Sequence, residues 1–143
     1  MSISKAFEVA FDRMADKGWD KIYVMVDIHD TILRACYEQD ETFDYLPLAR
    51  EALRQLTRRV DICLILWTAC DRTKLDFYMR RFEHDGIHFE YANCNPEVQN
   101  THISCFDDKF YFNVGIDDKF GFDGDTDWAE VLAALDAHPA SRQ

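Results

Sequence analysis

A chain of 143 residues is close to the usual size of one domain and long enough to bury a full core. Hydrophobic residues make up 48% and aromatics 14%, with only 5 Gly and 3 Pro, which excludes a disordered, collagen-like or low-complexity chain. The 27 Asp and Glu against 16 Lys and Arg leave a net charge of −11, a surface that repels phosphate polymers and disfavours nucleic acid as a partner.

The elements read in chain order as follows. Residues 3 to 17 place Ile3, Phe7, Ala10, Phe11 and Met14 at helical spacing, with Gly18 as a stop. Residues 21 to 27 are a nearly continuous apolar run ending in Asp27, which predicts a strand buried on both faces. A helix is expected from Pro47 through Leu53, Leu56 and Val60, with Arg50, Arg54 and Arg58 on its opposite stripe. Residues 61 to 67 form a second buried strand stopping at Thr68, and residues 71 to 84 a helix capped by Asp71 and ended by Gly86. A short strand over 88 to 91, a loop over 93 to 104, a strand over 110 to 116 and a helix over 125 to 137 complete the reading. Strands alternating with helices predict an α/β fold, a single domain over 1–143 with a mostly parallel sheet and its ligand crevice at the carboxyl ends of the strands.

The cysteines (Cys36, Cys63, Cys70, Cys94, Cys105) form no Cys-x-x-Cys pair, which suits a reducing compartment, and Cys63 and Cys105 are read as buried apolar side chains. The longest apolar runs fall far short of the roughly 18 residues that span a bilayer, so no membrane partner and a cytoplasmic location are expected. His84 and His88 stand four apart but across Gly86, which removes them as a helical metal pair; His102 and His138 read as surface residues. Asp123, Asp125 and Asp127 do not make a calcium loop, because Trp128 stands where that loop needs Gly; helix capping and a site rim are expected instead.

Three strands stop at residues able to do chemistry: Asp27, Thr68 and the pair Asp117-Asp118. In an open parallel sheet these ends lie side by side, and carboxylates brought together there repel unless a cation joins them. Oxygen-only ligands with room for phosphate and water suit Mg²⁺ better than Zn²⁺.

Val26-Asp27-Ile28-His29-Asp30-Thr31, Leu66-Trp67-Thr68, Lys109, and Gly115-Ile116-Asp117-Asp118 with Asp123 beyond resemble, in order, the four motifs of the haloacid dehalogenase (HAD) superfamily. The match spans residues 21 to 123 and is most similar to the small capless phosphatase-like members, because the spacing leaves no room for a cap domain. The resemblance implies a Rossmann-like sheet with helices on both faces, and Asp27 as the nucleophile that forms an aspartyl-phosphate. It further implies that Thr68 binds a phosphoryl oxygen and that Lys109, in preference to Lys74, offsets charge. Asp27, Asp118 and the backbone carbonyl of His29 would hold Mg²⁺, with Asp117 acting through water.

One position departs from the family pattern. His29 stands where these phosphatases usually carry a second Asp as acid and base, and its imidazole, with a pKa raised by neighbouring carboxylates, is expected to take that role. Asp30 should face away. Arg72, four residues past Thr68, is a candidate for holding a substrate phosphate or sugar.

The expected activity is therefore Mg²⁺-dependent hydrolysis of a small phosphorylated molecule, a nucleotide among the candidates. A nucleic-acid end-phosphatase is the alternative favoured by residues 50 to 81, with eight basic residues against four acids. A catalytically weak binding protein is the alternative favoured by His29.

Overall fold

The computed structural model describes residues 2–35 and 43–140; Cys36 lies outside them. Its elements are α1 (Ile3–Lys17), β1 (Ile22–Val26), α2 (Ala49–Arg58), β2 (Ile62–Leu66), α3 (Arg72–His84), β3 (Tyr91–Ala92), β4 (Val114–Ile116), a 3₁₀ turn (Asp118–Phe120) and α4 (Trp128–Ala137). The four strands form one sheet in the order β3-β2-β1-β4, every pairing parallel.

The caps follow the chemistry of their residues. Ser2 accepts from the Lys5 N–H at the start of α1, and Gly18 ends that helix at φ +68°, where a side chain would be strained. Asp71 caps α3 by accepting from the Lys74 N–H. The helix expected from Pro47 to Val60 is shorter, Ala49–Arg58, because Leu48 takes a left-handed conformation before it and Arg59 an extended one after it; Val60 is exposed. No helix among the described residues is long and apolar enough to cross a membrane.

Side-chain alternation along the strands divides the core in two. Ile22, Val24 and Val26 of β1, Ile62, Leu64 and Leu66 of β2, and Val114 and Ile116 of β4 join a large cluster with residues of all four helices. Met25, Cys63 and Ile65 point the other way, into a smaller cluster closed by Phe110 with Tyr23, Tyr91 and Phe112. The Rossmann-like parallel α/β fold is thus as expected, with no cap domain among the described residues, but helices do not cover both faces: among the described residues the second cluster contains no helical side chain. The reason is topological. β1, β2 and β3 succeed one another in one direction across the sheet, so right-handed crossovers put α2 and α3 on one side, and the return to β4 crosses the other side as residues 93–113 without a helix.

The late strands are correspondingly short. Residues 88–90 and 110–113 lie outside the strand bounds, and Phe110 and Phe112 cover the sheet instead of extending it. Cys63 is buried as expected, whereas Cys105 is exposed on the returning segment, where the sheet offers it no strand position. His138 is half-buried and stacks on Phe11 with ring centroids 5.2 Å apart, so the α1–α4 packing takes it off the open surface.

Candidate active site

The carboxyl ends of β1 and β4 carry a group of acids. The ladder runs past β1, since the Asp27 N–H donates to the Ile116 carbonyl at 2.9 Å, and this holds Asp27 beside the Asp117-Asp118 pair. One carboxylate oxygen from each of Asp27, Asp117 and Asp118 lies within 4.8 Å of the others. Thr31, fully buried, ties them together: its hydroxyl donates to Asp27 Oδ2 at 3.1 Å and accepts from the Asp118 N–H at 3.1 Å. The Thr31 carbonyl accepts in turn from the indole N–H of the buried Trp128 at 2.7 Å, which anchors the site to α4.

The crowding of acids sets their protonation. Burial, then the charge of Asp117, raises the Asp27 carboxyl from 3.8 to about 7, against the lowering effect of the Thr31 hydroxyl; Asp118 raises it further. Burial also raises Asp117, although the Lys119 N–H donates to its carboxylate at 2.9 Å.

His29 lies two residues after Asp27, with its ring half-buried and Nε2 3.1 Å from the hydroxyl of the buried Tyr78 on α3. Its expected upward pKa shift is reversed. Burial lowers it, the Lys74 charge lowers it further, and Asp30 opposes both. The His29 backbone carbonyl accepts no hydrogen bond among the described residues, which leaves it available as a ligand. Asp30 is exposed at φ +59° and its carboxylate accepts from the Ala35 N–H at 3.0 Å, turned to its own loop as expected.

Thr68 follows β2 next to Trp67, whose N–H donates to the Val26 carbonyl at 2.8 Å, so the two strand ends are neighbours. The Thr68 backbone is clamped by one side chain, that of Asn93: its amide oxygen accepts from the Thr68 N–H and its amide nitrogen donates to the Thr68 carbonyl, each at 2.9 Å. Asn93 has φ +59°, a conformation that Asn tolerates better than most residues. Neither this clamp nor the Tyr78–His29 contact was expected from the sequence; an Asn just past a short strand is a faint signal, and Tyr78 reads only as a core residue of α3.

Two expected participants make no hydrogen bond or ion pair with the acids among the described residues. Lys109 is exposed on the returning segment and makes no hydrogen bond or ion pair among the described residues. Arg72 opens α3 with its side chain 88% exposed and 3.6 Å from Asp76, one helical turn on. Lys74, the rival to Lys109, is half-buried and its charge reaches His29. The acids beyond the 3₁₀ turn bond one another, Asp123 accepting from the Asp125 N–H and Asp127 from the Asp123 N–H. The His88 imidazole sits between Glu83 and Glu90, with His84 outside that contact.

Neither a protein-family model nor a curated protein matches the chain. Among solved structures, the chain is similar to a conserved protein coded by a locus of Bacteroides thetaiotaomicron, with 24% identity over 84% of this chain and 93% of that one. The TM-score is 0.64, and at this identity the likeness establishes a shared α/β fold and nothing about activity.

Proposed function

We propose that the protein is a phosphomonoester hydrolase that uses Asp27 as its nucleophile and a divalent cation, with Mg²⁺ the best match to the donors. The observation carrying this reading is the meeting of Asp27, Asp117 and Asp118 within 4.8 Å, with Thr31 fixing two of them and Thr68 at the adjoining strand end. The donor set fits such an ion. It is made only of oxygen and combines the carboxylates that follow β1 and β4 with the His29 carbonyl, which accepts no hydrogen bond among the described residues; burial and the neighbouring carboxylate charge that raise the Asp27 pKa are both offset by a cation. When bound, the cation offsets the charge of the carboxylates and of the phosphoryl oxygens.

The protein's own groups divide the work. An Asp27 carboxylate oxygen forms a bond to phosphorus as the ester P–O bond breaks, giving an aspartyl-phosphate and an alkoxide that takes a proton from solvent water and leaves as the alcohol. Thr68, held by Asn93, presents its hydroxyl to a phosphoryl oxygen. Water then attacks phosphorus, releases inorganic phosphate and restores the carboxylate. His29, two residues past Asp27, serves the hydrolytic step. With its pKa lowered by burial, the imidazole is mostly neutral at pH 7, which suits it better to accept the proton of the attacking water than to donate one to the leaving group. Nδ1 is the ring nitrogen left for that work, since Nε2 meets Tyr78.

The test is hydrolysis of an aryl phosphate with and without Mg²⁺. Wild-type protein should show metal-dependent release of phosphate and Asp27→Asn should not; equal rates for the two proteins would sink the assignment.

A further inference from the structure

Past the end of β2 lies a cavity of about 550 Å³, walled on one side by Trp67 and on the other by the segment returning to β4; Asp27, Asp117 and Asp118 are not part of its wall. This size is ordinary for a small-molecule site. Trp67 is 41% exposed, although every residue of the strand it follows is buried, and its ring centroid lies 5.6 Å from that of Phe110 at 56°. The exposed part of the ring lines the cavity and offers it an aromatic surface.

The placement of the cavity relative to the acids is fixed by the strands. Residues 62, 64 and 66 of β2 face the helices, so Trp67, one step beyond, faces the side covered by residues 93–113, where its ring meets Phe110. The Trp67 N–H donates to the carbonyl of Val26, the residue before Asp27. Phe106 and Val98 add apolar wall, and Gln99, Asp107 and Asp108 add polar groups; among the described residues no Lys, Arg or His lines the cavity. A second phosphate would find no counter-charge there. A flat, uncharged ring bearing N–H donors would find an aromatic face and carboxylate or amide acceptors.

We propose that this cavity is the subsite for the heteroaromatic base of a nucleoside monophosphate, stacked on Trp67, with the sugar spanning to a phosphate at Asp27 and Thr68. The placement of the phosphate rests on the phosphatase reading above; the stacking of the base on Trp67 does not.

Two measurements separate the two claims. The first compares KM and kcat for a nucleoside 5′-monophosphate and for ribose 5-phosphate, in wild-type, Trp67→Ala and Trp67→Phe proteins with Mg²⁺. Losing a base–aromatic stack should raise KM for the nucleotide by about tenfold to a hundredfold in Trp67→Ala, leave ribose 5-phosphate unchanged, and be largely restored in Trp67→Phe. The second titrates a phosphate-free nucleoside against the tryptophan fluorescence of Asp27→Asn protein, with and without Trp67→Ala. Saturable quenching that disappears with Trp67 supports the subsite even if no phosphate ester is hydrolysed, an outcome that would sink only the phosphatase reading. Hydrolysis of the nucleotide with no quenching, or an equal KM rise for ribose 5-phosphate, would overturn the subsite while leaving the phosphatase reading standing.

Discussion

Replacing Asp27 by Asn removes one negative charge from a group of three carboxylates and keeps an oxygen able to accept from the Thr31 hydroxyl. The folded protein holds the Asp27 carboxyl at about 7, against 3.8 for a solvated one. Between those values the native state binds a proton that the unfolded chain has released, so wild-type stability falls as pH rises through that window and the full penalty stands above pH 7. At about 1.4 kcal/mol per pKa unit the ceiling is about 4 kcal/mol. Water reaching the half-buried carboxylate reduces this, and about 2 kcal/mol is expected. Urea unfolding in a chelator, followed by circular dichroism, should therefore find Asp27→Asn about 2 kcal/mol more stable than wild type at pH 8 and equal to it near pH 4. Excess Mg²⁺ should reverse the order at pH 8, because at a hundred times its dissociation constant a ligand adds about 2.7 kcal/mol to the form that binds it. A variant no more stable than wild type at pH 8 in chelator, or an advantage independent of pH, would refute the reasoning.

Other expectations concern groups around the acids. Asn93→Ala removes both partners of the Thr68 backbone and should lower kcat/KM for an aryl phosphate at least tenfold, with a stability loss of about 1–3 kcal/mol in urea unfolding; unchanged kinetics would show that the clamp does not position Thr68. Tyr78→Phe keeps the ring in the core but removes the hydroxyl from His29, leaving the imidazole less polar surroundings, so the acidic limb of the pH–rate profile should move to lower pH. Gly124→Ala would place a Cβ 2.3 Å from Leu46 Cδ1 and 2.9 Å from the Asp30 carbonyl oxygen, and should destabilise by about 1–3 kcal/mol by thermal unfolding. An alanine variant as stable as wild type would mean that this contact yields freely.

The parts legible in the sequence are those where one local pattern decides the outcome. β1 and β2 are continuous apolar runs, and α1 and α3 carry their own stops and caps, so each was readable from its residues. The strand-end acids were readable because a parallel sheet brings its carboxyl ends together whatever lies between. Residues 110–113 were misread for an equally physical reason: Phe110 and Phe112 have the composition of a strand, but they serve to cover Met25, Cys63 and Ile65, a task visible only once no helix lies there. The His29 pKa failed differently. Counting nearby acids predicts a rise, whereas burial beneath α3 and the charge of Lys74 produce a fall. Asn93 and Tyr78 act through contacts 25 and 49 residues away in sequence, beyond any local pattern.

The helix-free face of the sheet separates two kinds of change. The carboxylates are fixed by β1, β4, Thr31 and Trp128, all tied to the helical side, while the cavity next to Trp67 is walled almost wholly by the stretch that returns from β3 to β4. Substitutions in that stretch can reshape the cavity next to Trp67 without touching the groups that hold the acids, so the two parts of this sheet end can change independently.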